Sequence, residues 1–199
     1  MASSAVKLLL LTVMLLALIL GLKFLGVELP GIWEKSFEHE LQEMRAIWEQ
    51  DLGNTYPHAA FERVLELPAD KLERMRSSLE PFVTGNHAEA TKALAKTYIA
   101  LIDVAKRWQE ARSVKASLDA LEGFDCSHLQ IYKQANDAYK KFLDAKRVYI
   151  KQVNGFVTRF SKEAALIGMK RLDPSMEKET LAYNQMNAMY ELFSGWCEA

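Results

Sequence analysis

The chain has 199 residues, 50% hydrophobic and 26% charged, with formal net charge −1. Nine Gly and five Pro are too few for a turn-rich β protein, and the apolar content is too high for a disordered chain. Two cysteines cannot make a disulfide scaffold, and the length suits one domain with at most a small appendage.

The apolar residues are concentrated at the start. Leu8 to Leu22 carries no charge and only Thr12 as a polar interruption, and the run continues past Lys23 to Val27. Twenty residues at about 1.5 Å each span a hydrocarbon core of roughly 30 Å. Leu8, Leu11, Leu15, Leu18 and Leu22 would face lipid, with Lys23 snorkelling to the headgroups. A cleaved signal peptide would need small residues at the −3 and −1 positions, and the stretch Leu20 to Gly26 does not supply such a pair. The expectation is a retained signal-anchor over residues 1–30, with its N-terminus cytoplasmic and an extracytoplasmic domain over 31–199. Ala17 and Gly21 form a small-xxx-small pair of the kind that lets two such helices approach, but Leu-rich runs produce these by chance.

From Trp33 onward the apolar residues recur at three and four, the period of helices. Trp33, Phe37, Leu41, Met44 and Trp48 form one stripe ending near Gly53. Pro57 opens a short segment with Phe61, Val64 and Leu65, and Pro68 opens another with Leu72, Met75 and Leu79. Pro81 and Gly85 should break that pattern, leaving a short helical insert over about 54–84. Asn86 reads as the N-cap of a long helix running to Leu121, with Leu94, Tyr98, Leu101, Ala105 and Trp108 on its core face and Gly123 as its stop.

The next segment carries the clearest period. Leu129, Tyr132, Asn136, Tyr139, Leu143, Lys146, Ile150, Val153, Val157, Phe160, Ala164 and Ile167 alternate spacings of three and four. A second row at sevenfold spacing, Ala135, Phe142, Tyr149 and Phe156, widens the stripe. Asn154-Gly155 is a candidate kink. Asp173-Pro174 supplies a cap and a first-turn proline for the last helix, which carries Met176, Tyr183, Met186, Tyr190, Phe193 and Trp196. The loop between the two long helices is too short for anything but an antiparallel hairpin. The fold class is therefore all-α: a single transmembrane helix followed by an antiparallel up-down bundle with two long helices. This plan resembles that of several bacterial and archaeal envelope proteins in architecture alone, which carries no function with it.

Charge is distributed unevenly. Lys133 to Arg171 holds ten basic residues against Asp137, Asp144 and Glu163, whereas Glu34–Asp51 and the segment after Leu172 are each acidic by four. One basic helix beside two acidic ones would be an intramolecular complement. The alternative is that the basic face meets phosphate, as lipid headgroups rather than nucleic acid, for which no binding motif is present.

Catalytic chemistry has no signature. The four histidines, His39, His58, His87 and His128, lie in separate segments without a His-Glu-x-x-His or Glu-x-x-His arrangement. His39 and Glu43 share a face that reads as solvated. Cys126 and His128 at a helix start could ligate zinc or activate the thiol, but no further ligand or oxyanion donor accompanies them. Cys126 and Cys197 would pair only if the last helix runs toward the hairpin tip. No phosphate loop or nucleophile elbow is present, and none of the six asparagines begins a glycosylation sequon. No cofactor or metal is expected.

The sequence points to a non-enzymatic accessory or scaffold subunit acting by protein–protein contact. Its partners would be membrane lipid through the anchor and another membrane or envelope protein, with a homo-oligomer as a further option. The candidate interface is the Met-rich aromatic face of the last helix, namely Met186, Met189, Tyr190, Phe193 and Trp196. A small-ligand or metal-binding module, with its site near Tyr98, Trp108, Tyr139 and Tyr149, is the alternative.

Overall fold

The computed structural model describes residues 36–123 and 125–198. The expected anchor, with Leu8, Leu11, Leu15, Leu18 and Leu22, lies outside the described residues, as does Trp33. Among the described residues no helix is long and apolar enough to cross a membrane. They form seven α-helices, with no strand among them.

Helix α1 (Phe37–Leu52) starts where the Ser36 hydroxyl accepts the His39 N–H, and it ends at Gly53 with φ +62°. That left-handed position favours glycine because it has no Cβ. The helix buries Leu41, Met44, Trp48 and Leu52 on one face. Short helix α2 (Phe61–Leu65) adds Val64 and Leu65, and α3 (Ala69–Thr84) adds Leu72, Met75 and Leu79.

Pro81 does not break α3 as the sequence suggests. It lies in the last turn, where its missing N–H removes one ladder bond while Phe82 and Val83 continue onto the core. Gly85 is the terminator, its N–H donating to the Pro81 carbonyl at 2.8 Å. A Cβ there would stand 2.7 Å from that carbonyl oxygen and 2.8 Å from the His87 ring, so no side chain fits without a shift.

Helix α4 (Glu89–Asp119) is about 46 Å long at 1.5 Å per residue. Asn86 is not its cap. Ala88 holds that position, and the polar partner comes from α1: Glu40, fully buried, accepts the Ala88 N–H at 3.1 Å and His87 Nδ1–H at 2.8 Å. Leu94, Tyr98, Leu101 and Ala105 are buried as the period requires, and Trp108 is half-buried.

After a single 3-10 turn (Cys126–His128), α5 (Leu129–Arg159) returns antiparallel to α4. Arg159 faces Glu89 at one end, and Trp108 packs on Phe142 with ring centroids 5.3 Å apart further along. The row that looked like a flank, Ala135, Phe142, Tyr149 and Phe156, is buried throughout. The apparent main stripe alternates: Leu143, Ile150 and Val153 are buried, while Tyr132, Tyr139 and Lys146 are half-exposed. A single helix here serves two neighbours.

The helix continues through Asn154-Gly155 but does not run unbroken to Ile167. It stops at Phe160 (φ −124°, ψ 57°), and α6 (Ser161–Leu166) resets the direction so that Ala164 and Ile167 enter the core. Asn154 clamps the following strap instead, its Oδ1 accepting the Leu172 N–H at 2.8 Å and its Nδ2 donating to the Leu172 carbonyl at 3.0 Å. Asp173 likewise caps a turn rather than a helix, accepting from the Ser175 N–H and hydroxyl at 2.9 and 2.8 Å. Met176, buried with φ +46°, is the hinge into α7 (Glu177–Glu198).

The charge complement also differs from expectation. Among the described residues, Lys146 of this basic stretch pairs with the last helix through Glu179, while Arg147 and Arg159 turn to Asp144 and Glu89. Asp51 of α1 is taken by Lys71 and Arg74 of α3 at 2.5 and 3.1 Å. Further pairs, Arg76 with Asp103 and Lys106 with Glu73, tie α3 to α4. Helix α3 packs on both α1 and α4, which sets its cations beside Asp51.

Glu40→Ala should lower stability by about 3 kcal/mol, because it strips the acceptor from the half-buried His87 and Ala88 donors. Glu40→Gln should lose less, since one amide oxygen remains. Thermal melts of the two variants beside the parent would show this order, and equal losses would refute it.

Candidate functional site

Helix α7 is held by its inner row. Glu179 pairs with Lys146, Asn187 Oδ1 accepts the Asn136 amide at 2.8 Å, and Phe193 meets Tyr132 edge-on with ring centroids 5.0 Å apart. Cys197 then closes on Cys126, with Cα atoms 5.5 Å apart. The order runs down α5 as it runs up α7, so the two helices are antiparallel and the last helix does point to the hairpin tip. The hydrogen bond from Lys146 holds the Glu179 carboxyl below its usual range, while burial, aided by the Glu179 charge, raises the Tyr139 hydroxyl.

None of the α7 residues is fully buried. Its outward face exposes Leu181 (60%), Met189 (49%), Leu192 (69%) and Trp196 (72%). Of the five residues singled out in the sequence, Met189 and Trp196 lie on this exposed face. Met186, Tyr190 and Phe193 are half-buried. Leu181 and Leu192 were missed. Their spacing from Trp196, with Gln185 and Ala188 between, completes a second row at intervals of three and four, and that was the available signal. An aromatic and methionine face of this kind suits a protein partner more than a small molecule.

The other candidates disperse. The disulfide consumes the Cys126 thiol, so neither a thiolate nucleophile nor a zinc thiolate is present at Cys126 and His128. His39 lies 3.3 Å from Glu43 on an exposed face. Among the described residues no group of three His, Cys, Asp or Glu side chains is placed to hold a metal ion.

The aromatic residues proposed as a ligand site are split. Tyr98 and Tyr149 are almost wholly buried; Trp48 meets Tyr98 edge-on at 5.2 Å, and Phe61 stacks on Tyr149 at 5.9 Å. Trp108 and Tyr139 instead flank Phe142 further along the hairpin. Burial pushes both the Tyr98 and the Tyr149 hydroxyls well up.

Within this core His58 joins three segments. Its Nε2 lies 3.2 Å from the Ile167 carbonyl and its Nδ1 3.0 Å from the Tyr98 hydroxyl, with the Tyr56 and Tyr98 rings stacked beside it. A carbonyl only accepts, so Nε2 carries the proton and Nδ1 accepts from Tyr98. Burial lowers the His58 pKa, partly offset by the bond to Ile167. The unfolded imidazole takes up its proton near the ordinary value of 6.5, whereas the folded one resists until lower pH. The unfolded state therefore binds more protons in that window, and stability is lost as pH falls below 6.5.

Unfolding free energy should thus decline from pH 7 toward pH 5, by at most about 1.4 kcal/mol per unit from this group. In His58→Phe the decline should flatten; an unchanged slope in urea titrations at several pH values would assign it elsewhere. Reduction of the disulfide, or Cys197→Ser, should cost about 4 kcal/mol from a loop of 71 residues. Urea unfolding of the full chain with and without reductant measures that loss. The chain matches no protein-family model, and no curated protein or solved structure is detectably similar to it.

Proposed function

We propose that this chain is a membrane-anchored, non-enzymatic scaffold or accessory subunit whose helical bundle binds another envelope protein through the outward face of α7. The observation that carries this reading is the exposed row Leu181, Met189, Leu192 and Trp196, on a helix that nonetheless is tied down at both ends. A soluble bundle gains nothing from a second apolar row facing water, and such rows mark interaction sites. The tie-down reduces the ordering that a partner would otherwise have to impose, which favours affinity.

Two features support the location. The uncharged run Leu8 to Leu22 is long enough, with its continuation to Val27, to anchor the chain. The disulfide between Cys126 and Cys197 favours an oxidising compartment and hence an extracytoplasmic bundle.

The test is in-cell cross-linking of a C-terminally tagged chain, with mass spectrometry of what co-purifies from membranes. A stoichiometric partner should be captured by the parent and lost, about tenfold or more, in Leu192→Asp, given the usual weight of buried apolar anchors. The same variant should melt within a degree or two of the parent, because Leu192 is exposed. Capture that survives Leu181→Asp and Leu192→Asp together would remove this face from consideration.

A further inference from the structure

Much of the positive charge of α5 and α6 is left over once the bundle is assembled, and part of it gathers at one end. Lys92, Lys96 and Arg159 line a cleft of about 260 Å3 between the start of α4 and the end of α5, floored by Phe156 and Phe160. Arg171 reaches the same end through Thr158, its guanidinium donating to the hydroxyl at 2.9 Å, with Lys170 beside it in the chain. Lys162 lines the adjoining cleft with Ser36, Phe37 and Leu166. The carboxylates nearby are Glu38, Glu89, Glu163 and Asp173. Glu89 is shared between Lys92 at 3.5 Å and Arg159 at 3.9 Å, too far for strong pairs. Lys96, Lys162 and Lys170 have no carboxylate partner among the described residues.

This is also the end from which the chain leaves toward the anchor. Ser36 stands beside Lys162 and Leu166, and Phe37 packs on Phe156 with ring centroids 6.5 Å apart. The apolar run ends at Val27, and nine residues extend at most about 30 Å. That length bounds how far Ser36 can stand from the apolar run, whereas the disulfide lies at the other end of α4, about 45 Å away. Leu166 (54% exposed) shares the adjoining cleft with Lys162, Glu38 and Glu163, and Leu172 (37%) follows Arg171 in the chain. Apolar side chains ringed by Lys and Arg are the composition that an anionic bilayer surface binds, each cation adding attraction within a Debye length.

We propose that this end of the bundle, through Lys96, Arg159, Lys162 and Lys170 with the exposed Leu166 near Lys162, docks on the anionic phospholipid surface of the membrane that holds the chain. The inference rests on the anchored reading above. Docking would set the bundle's tilt and present α7 at a defined height, which a nine-residue tether alone would not.

The full chain should be reconstituted in phosphatidylcholine vesicles and in vesicles with about 30% phosphatidylglycerol, and amide hydrogen exchange compared. Residues 159–173 should exchange about tenfold more slowly in the anionic vesicles. That protection should vanish in 0.5 M NaCl, where the Debye length contracts to about 4 Å. The variant K96Q/K162Q/K170Q should lose it, while K133Q/K140Q/K141Q, with the same net charge but its changes in the first half of α5, should keep it. Melting temperatures confirm that both variants fold. Equal exchange in the two lipids, or equal loss in both variants, would overturn the docking surface while leaving the anchor intact. Release of the parent chain by alkaline carbonate would overturn the anchor, and this inference with it.

Discussion

Helix α5 has to satisfy two neighbours at once, and most of the architecture follows from how it does so. Its row Ala135, Phe142, Tyr149 and Phe156 is given over to the α4 side and the aromatic core, where Trp108 and Phe61 complete the packing. Its adjoining row, with Tyr132, Tyr139 and Lys146 half-exposed and Asn136 buried, is polar at its edges, and it receives α7. Apolar area removed from water stabilises by roughly 25 cal/mol per Å2. The fully buried row therefore carries the fold, and the half-exposed row makes a weaker contact. A helix docked on the weaker row needs something more to stay in place. The disulfide at its far end and the ion pair at its near end supply that.

The polar groups inside the bundle act as joints between segments distant in sequence. Glu40 fixes the approach of α1 to the turn before α4, and His58 links the loop after α1 to α4 and to the end of α6. Both sit where helices end, because only there are backbone donors and acceptors left unpaired by the helices themselves. Such joints add less net stability than the apolar core, yet leaving one partner orphaned is costly, so they restrict how the segments can be assembled. Trp48 Nε1 and Thr91 Oγ1 are the contrary cases: both are buried without a hydrogen-bond partner, and the packing of the large apolar face around them outweighs that cost.

The proposed function and the proposed membrane contact divide the molecule along its length. Cations gather at the end where Ser36 opens the described chain, and the exposed apolar row runs along α7 toward the disulfide. The two surfaces make different demands. Lipid headgroups ask for charge on flexible side chains, whereas a protein partner asks for a rigid apolar face with its backbone already ordered. The α7 clamp fits the second demand. A docked base would give that face a fixed orientation over the bilayer.

The periodicity alone determined that the domain is all-helical, where the two long helices lie, that they form a hairpin, and most of the buried face of each. Those features come from local repetition of apolar residues, which any packing of the helices must respect. Three things were decided by tertiary structure. The break at Phe160 depends on the direction in which Ala164 and Ile167 must turn to reach the core, and the three-four period passes through it unchanged. The cap of α4 comes from Glu40, forty-eight residues before Ala88, so no local motif announces it. The pairing of charges depends on which helix lies next to which, and the cations of α3, not those of α5, stand beside Asp51 of α1. The candidate interface was legible only as the right helix. Which side of α7 stays open was set by the row that α5 presents to it and by the direction the disulfide requires, because two amphipathic rows on one helix look alike until one of them is covered.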